Sequence, residues 1–302
     1  MSLAEIEAVE VALETPSSLS RDAWQRLRRN PGAIAGFAIV SLFVLVAILA
    51  PLLAPADPRN VDLTAVGLQC CPGPSHAHLL GVDPLGRDEL SRIIFGARFS
   101  LLVGVVAVSV GLSVGVVLGA VAGYAGGFVD GLIMRLTDVM LSIPGLLFAI
   151  GLVAALGQSL TSVMIAIGVV NIPIFARLLR GSVLAQKEND FILAARSVGV
   201  PRRQILVSHI LPNAVAPLIV QATLALATAI IDVAALGFLG LGSQDPGRAE
   251  WGSMLANTDR YLQTAPSLAI IPGLAIVLSV LGFNLIGDGL REALDPKLRG
   301  RT

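Results

Sequence analysis

Lysine is almost missing from this 302-residue chain, with Lys187 and Lys297 the only two. Neither belongs to a G-x-x-x-x-G-K-[ST] loop, so the chain cannot cradle a nucleotide phosphate in that way. Cysteine is as scarce. Cys70 and Cys71 are adjacent and form no C-x-x-C pair, and the three histidines form no H-E-x-x-H. There is no nucleophile elbow either, and no cluster of catalytic residues converges along the sequence, so a self-contained enzyme is not expected. Charged residues make up only 14% of the chain, far too few to cover the surface of a soluble domain of this size. Acids and bases balance at 21 each, so net charge says nothing about partners, and no nucleic acid is expected among them.

Hydrophobic residues are what the chain has, 55% of it, segregated into long runs. Crossing a bilayer takes about 20 apolar residues in a helix, which satisfies its own backbone groups where no water is available. Six spans are expected, near Ala33–Ala54, Ser100–Ala122, Leu136–Leu156, Thr161–Leu179, Ala214–Gly237 and Ser267–Ile286. Asp138 and Pro144 sit near the start of the third, and Asn171 and Pro173 in the fourth predict a bent helix. The polar first 33 residues carry Glu5, Glu7, Glu10 and Glu14, then Arg21, Arg26, Arg28 and Arg29. The run that follows is too long for a removable signal core and reads as a retained span.

Lys and Arg set the orientation. With the N-terminus cytoplasmic, 15 of the 21 fall inside and 6 outside, which favours both termini in. The outer side then holds a long loop near 55–99, a short link near Gln158 and a loop near 239–266. The inner side holds a glycine-rich link near 123–130 and a basic loop near 179–211. Within that basic loop, Asp190–Ile205 reads as two short helices joined by a turn at Gly199-Val200-Pro201.

The spans carry few ionisable groups. Gly111, Gly115, Gly119 and Gly123 recur every four residues, making a groove without side chains where another helix approaches closely. That helix belongs to the same bundle or, alternatively, to a second subunit. Asp232 is the one acid well inside a span; a buried structural role comes first for it and a place on the substrate path or gate second. Asn171 and Asn284 divide in the same way, with interhelical hydrogen bonding as the plain reading. An ion-coupled carrier, the alternative from another class, would carry inverted repeats and several coupled ionisable groups at mid-membrane.

Outside, Arg87, Arg92 and Arg98 alternate with Asp83, Asp88 and Glu89. This reads as a solvated, salt-bridged amphipathic segment on the membrane surface, or a docking surface for an external protein. Cys70, Cys71, His76 and His78 match no recognised zinc spacing, so no metal site is expected. Adjacent cysteines close only a strained ring, which makes a vicinal disulfide the alternative rather than the default.

The stretch Asp190-Phe-Ile-Leu-Ala-Ala-Arg-Ser-Val-Gly199, with Ile205 and then His209-Ile-Leu-Pro-Asn213, resembles the E-A-A-x-x-x-G-(x)9-I-x-L-P loop of ABC importer permeases. Ala194, Ala195, Gly199, Ile210 (or Val207 in a looser register) and Pro212 fall on the motif, while Leu193 replaces its usual Glu. Leu80 to Arg92, Gly96 to Leu101, Phe238-Leu-Gly-Leu-Gly242, Glu250-Trp-Gly252, Gly287 to Leu298 and Trp24-x-x-Leu-x-x-Asn30 resemble the C-type permeases of the dipeptide and oligopeptide branch. The likeness covers nearly all of the chain beyond residue 20.

The resemblance implies an all-α, six-span permease of the type I importer kind, translocating dipeptides or oligopeptides by alternating access. It divides the chain into an inner tail (1–32), a first helix (33–54), an outer loop (55–99), a five-helix core (100–288) and a second inner tail (289–302). The ATPase-coupling loop lies at 180–211 and includes Asp190, Ala194, Ala195, Gly199, Ile205 and Pro212. The expected partners are a second homologous permease, two ATP-binding subunits that hold ATP and Mg, an extracytoplasmic peptide-binding protein and membrane lipid. The chain itself is expected to bind no cofactor. Nickel, haem and glutathione importers share these motifs and remain the alternatives within the family.

Overall fold

The computed structural model describes residues 19–66, 70–71, 73–245, 247–256 and 258–294. The acidic start of the chain and Lys297, Arg299 and Arg301 lie outside the described residues. Eleven helices are named here: α1 Leu19–Leu27, α2 Pro31–Ile48, α3 Ala50–Leu53, α4 Glu89–Ala125, α5 Gly127–Ser142, α6 Gly145–Leu156, α7 Leu160–Lys187, α8 Asp190–Ser197, α9 Arg202–Phe238, α10 Trp251–Leu255 and α11 Ser267–Leu294. Among the described residues there is no β-strand, only an isolated bridge between Val82 and Asp88.

Local chemistry explains the boundaries. Asn30 caps α2, its side chain accepting from Ala33 N–H with Pro31 at the first helical position, where a missing N–H costs nothing. Its amide also donates to Glu292 on α11 at 2.6 Å, tying the two terminal helices. Asp88 caps α4 and Ser159 caps α7 through side-chain oxygens. At 37 residues α4 is about 56 Å long, far more than the ~30 Å hydrocarbon core, so its ends project from the membrane.

Five helices are long and apolar enough to span: α2, α4, α7, α9 and α11. The third expected span is different. It breaks into α5 and α6, bent by 94° at Ile143-Pro144. Ile143 is extended (φ −95°, ψ 129°), because a residue before proline is pushed out of the helical region. Counted as one broken element, the pair brings the total to six. The helix through Pro173 stays continuous as α7. The longest observed helices also outrun the expected spans, since polar ends continue a helix without adding to its hydropathy.

The centre of the bundle is α4 against α7. At Gly111, Gly115 and Gly119 a Cβ would lie 2.8, 2.6 and 2.5 Å from atoms of Asn171 or Gly168, Phe175 and Ala176; at Gly123 it would lie 2.9 Å from Val183. The expected glycine groove is therefore filled by this chain's own fourth span. Phe175, Leu179, Val183, Ile192, Ile205 and Ile210 continue the same buried core down to the cytoplasmic end.

Candidate functional site

The basic loop folds as a short helix standing on the core. In α8, Ile192 is fully buried, while Phe191 (44%), Leu193 (50%) and, just past the helix end, Val198 (79%) expose apolar surface. Ala194 is exposed but Ala195 turns inward against the core, so the small-residue surface consists of one alanine rather than two. Asp190 opens the helix and is exposed. Gly199, at φ +78°, ends it: Val200 N–H donates to Ala195 O and Gly199 N–H to Arg196 O, a closure that needs the left-handed conformation. Leu193, in the position usually held by Glu, makes no ion pair.

Beyond the turn, Ile205–Ile210 winds as a π-helical turn inside α9. Pro212 follows it, exposed, where the wider turn accommodates a residue that can neither donate nor fit the usual spacing. Ile205 and Ile210 are both buried, locking α8 and the start of α9 to the bundle. Tyr124 Oη donates to Arg202 O at 2.7 Å, and Lys187 Nζ reaches Gly123 O and Tyr124 O at 3.2 and 3.3 Å. Arg180 clamps Asp130 through two hydrogen bonds of 2.5 and 2.7 Å, and Arg177 pairs with Asp138. These contacts tie α4, α5, α7 and α9 to one another, and α8 rests on that base through buried Ile192 and inward-facing Ala195.

The polar residues of the spans do not converge. Asn171 is buried against Gly111, but its amide donates to Ile167 O one turn back in its own helix at 2.9 Å, so its hydrogen bond is intrahelical rather than the interhelical one expected. Asp232 on α9 and Asn284 on α11 are half-buried, and neither makes a side-chain hydrogen bond among the described residues.

At the outer end, two groups of residues were only partly readable. Glu250 caps α10, its carboxylate accepting from Gly252 and Ser253 N–H at 2.8 and 2.9 Å. Burial pushes its carboxyl pKa up, against the two N–H groups that pull it down. Trp251 is fully buried, its indole donating to Ile93 O at 3.1 Å and meeting the Phe43 ring edge-on at 5.5 Å. Gly96, Gly237 and Gly252 admit this plug; a Cβ at any of them would lie 2.4–2.6 Å from Trp251, Glu250 or Ala234 atoms.

The charged outer segment is not solvated as expected. Asp83, Asp88, Glu89 and Arg92 are 2–5% exposed. Asp88 accepts from Ser91 N–H and Oγ at 2.7 Å and pairs with His78 at 3.0 Å; Asp83 holds Arg87 at 2.6 Å. Alternating charge alone does not distinguish this packed knot from a wet surface. The readable signals are the Asp88-x-x-Ser91 cap and the Asp83/Arg87 spacing of four. Cys70 and Cys71 also depart from expectation: they form a vicinal disulfide, both at positive φ (35° and 62°), packed against Tyr261, Ala265 and Leu268. Among the described residues no three His, Cys, Asp or Glu side chains gather as metal ligands.

Residues 115–300 match the model of the binding-protein-dependent transport system inner membrane component, and 18–69 match the N-terminal TM domain of oligopeptide transport permease C. A dipeptide transport system permease protein from Alkalihalophilus pseudofirmus is 49% identical over 92% of this chain and 90% of its own length. A di/tripeptide transport system permease from Pseudomonas aeruginosa is 45% identical over 97% and 96%. A glutathione transport system permease from Shigella flexneri is 49% identical over 92% and 90%. The inward-facing MetNI methionine ABC transporter superposes with a TM-score of 0.55 at 18% identity, covering 68% of this chain and 96% of that one, a likeness of fold. The chain belongs to the family of binding-protein-dependent transport system inner membrane components, as a multi-pass permease of the inner membrane.

Proposed function

We propose that this chain is one of two permease subunits of an ATP-driven importer for dipeptides and other short peptides. The observation that carries the reading is α8: an exposed side of Phe191, Ala194 and, just past the helix end, Val198, spaced i, i+3 and i+7, held on the bundle by buried Ile192. Apolar surface outside the membrane and fixed to a rigid base is a docking face. Each of two ATP-binding subunits, with its own ATP and Mg, receives one such helix. Their closure moves α8 with α4, α7 and α9 as a body, exchanging inward and outward access. A peptide-binding protein outside supplies the substrate, and lipid covers the exposed apolar sides of the spans.

The test is reconstitution. A complex purified through a tag on this chain is expected to contain a second permease and two ATPase equivalents, and to take up labelled dipeptide in liposomes with ATP and the binding protein. This chain alone, active without ATP, would overturn the proposal. Glutathione is the second reading, favoured by the 49% identical relative; competition by excess glutathione in the same assay decides between the two.

A further inference from the structure

A pocket of about 410 Å³ opens on the outer face between the start of α4 and residues 253–256 and 258–261. Its wall holds charges of both signs, Glu89, Arg92 and Arg260 among them, beside apolar Leu85, Met254 and Leu268. The charges are unequally satisfied. Asp83 is used up: it accepts from Leu85 N–H, from Arg87 N–H and from the Arg87 guanidinium. Arg92 therefore reaches it only at 3.5 Å. Arg92 Nε and Nη1 and Glu89 Oε1 are buried without a hydrogen-bond partner, although their residues are only 4% and 2% exposed. Arg260, on the rim, is exposed and has no acid partner among the described residues. Buried charge left this way is costly, and a partner of matching chemistry recovers the cost.

The missing partners are an acceptor at the two arginines and a donor at the glutamate. A lone acidic side chain would satisfy the first and leave Glu89 as it is. An ammonium alone would leave the arginines. We propose that this pocket binds a small zwitterion, an amino acid or short peptide, with its carboxylate on Arg92 and Arg260 and its ammonium on Glu89. The apolar wall takes the side chains. Since the proposal rests on the peptide-import reading, the pocket is an outer subsite for the transported substrate class.

The probe is alanyl-leucine, titrated calorimetrically into the complete importer purified through this chain, in nanodiscs without binding protein. Saturable binding is expected, weakened about ten- to a hundredfold by Arg260→Gln, the loss of one charge-assisted contact. N-acetyl and C-amide forms of the peptide are expected to bind more weakly still. Because Arg260 is exposed, its substitution leaves the fold intact where Arg92→Gln endangers it. Equal binding of free and blocked peptides, indifference to Arg260→Gln, or no saturable heat at 10 mM would overturn the site. ATP-driven uptake by the same complex, reconstituted in liposomes with its binding protein, separates the two readings: uptake without binding removes the pocket alone, and no uptake of any peptide removes the transport reading with it.

Discussion

Gly119 of α4 lies so close to Ala176 of α7 that a Cβ on the glycine would sit 2.5 Å from the Ala176 carbonyl oxygen. Backbone cannot move aside as a side-chain tip can, and Gly111 and Gly115 repeat the relation along the same seam, each 2.8 Å from a carbonyl oxygen, of Gly168 and of Ile172. The α4–α7 contact is thus a backbone-to-backbone one through much of its length.

Substituting this glycine is expected to open the seam. Gly119→Val should destabilise by about 1–3 kcal/mol, the range for forcing volume into a packed core. Gly151→Ala in α6, where nothing lies within 4 Å, should be neutral. Thermal unfolding in detergent, followed by intrinsic fluorescence, checks both. Equal melting temperatures for the two variants would contradict the seam.

Much of this was legible in the residues. Long apolar runs show the spans, and four glycines at a spacing of four show a groove, because both patterns are periodic and local. The occupant of the groove was not legible, since it depends on which helix the fold brings alongside. The break at Ile143-Pro144 was signalled by the proline, but its 94° bend is set by the surrounding packing. The outer knot stayed hidden for another reason. Asp83, Arg87, Asp88, Glu89 and Arg92 mix signs as a wet segment would, and only tertiary burial takes Asp83, Asp88, Glu89 and Arg92 into a core.

Asn171 and Asp232 are expected to behave oppositely. Asn171 has an intrahelical hydrogen bond to lose, so Asn171→Ala should cost about 1 kcal/mol in stability without altering the KM for peptide. Asp232 has no hydrogen-bond partner among the described residues, so Asp232→Asn should leave the melting temperature unchanged. Any change in its transport would then report a role on the path. Normal uptake by Asp232→Asn makes its charge dispensable.

Glu250 gives the outer plug a pH dependence whose sign follows from its burial. Its folded pKa is raised above the ordinary carboxyl value, chiefly by burial. Between the unfolded and the folded pKa the native state holds more protons, so stability falls as pH rises through that window. It is constant again above the folded pKa. Glu250→Gln should flatten this slope. It should also weaken the cap, because an amide accepts through one oxygen where the carboxylate serves both Gly252 and Ser253. Denaturation midpoints measured from pH 4.5 to 8 check the slope, and an identical profile for wild type and variant would remove Glu250 as its source.

Gly199 tests the coupling helix most directly, because its backbone rather than its side chain is at issue. At φ +78° it sits where a side chain costs about 1–2 kcal/mol, less for asparagine. Nothing lies within 4 Å of a Cβ built there, so the space is open and only the backbone objects. Gly199→Glu should therefore insert and assemble in the membrane while ATP-driven uptake is lost, since the turn that presents α8 is disturbed and an acid is placed at the docking face. Gly199→Asn, which tolerates the left-handed conformation, should retain most of the uptake. Parallel measurement of membrane level, ATPase stimulation and uptake separates the outcomes. If Gly199→Glu transports normally, the turn after α8 plays no part in coupling, and the force must enter the bundle elsewhere.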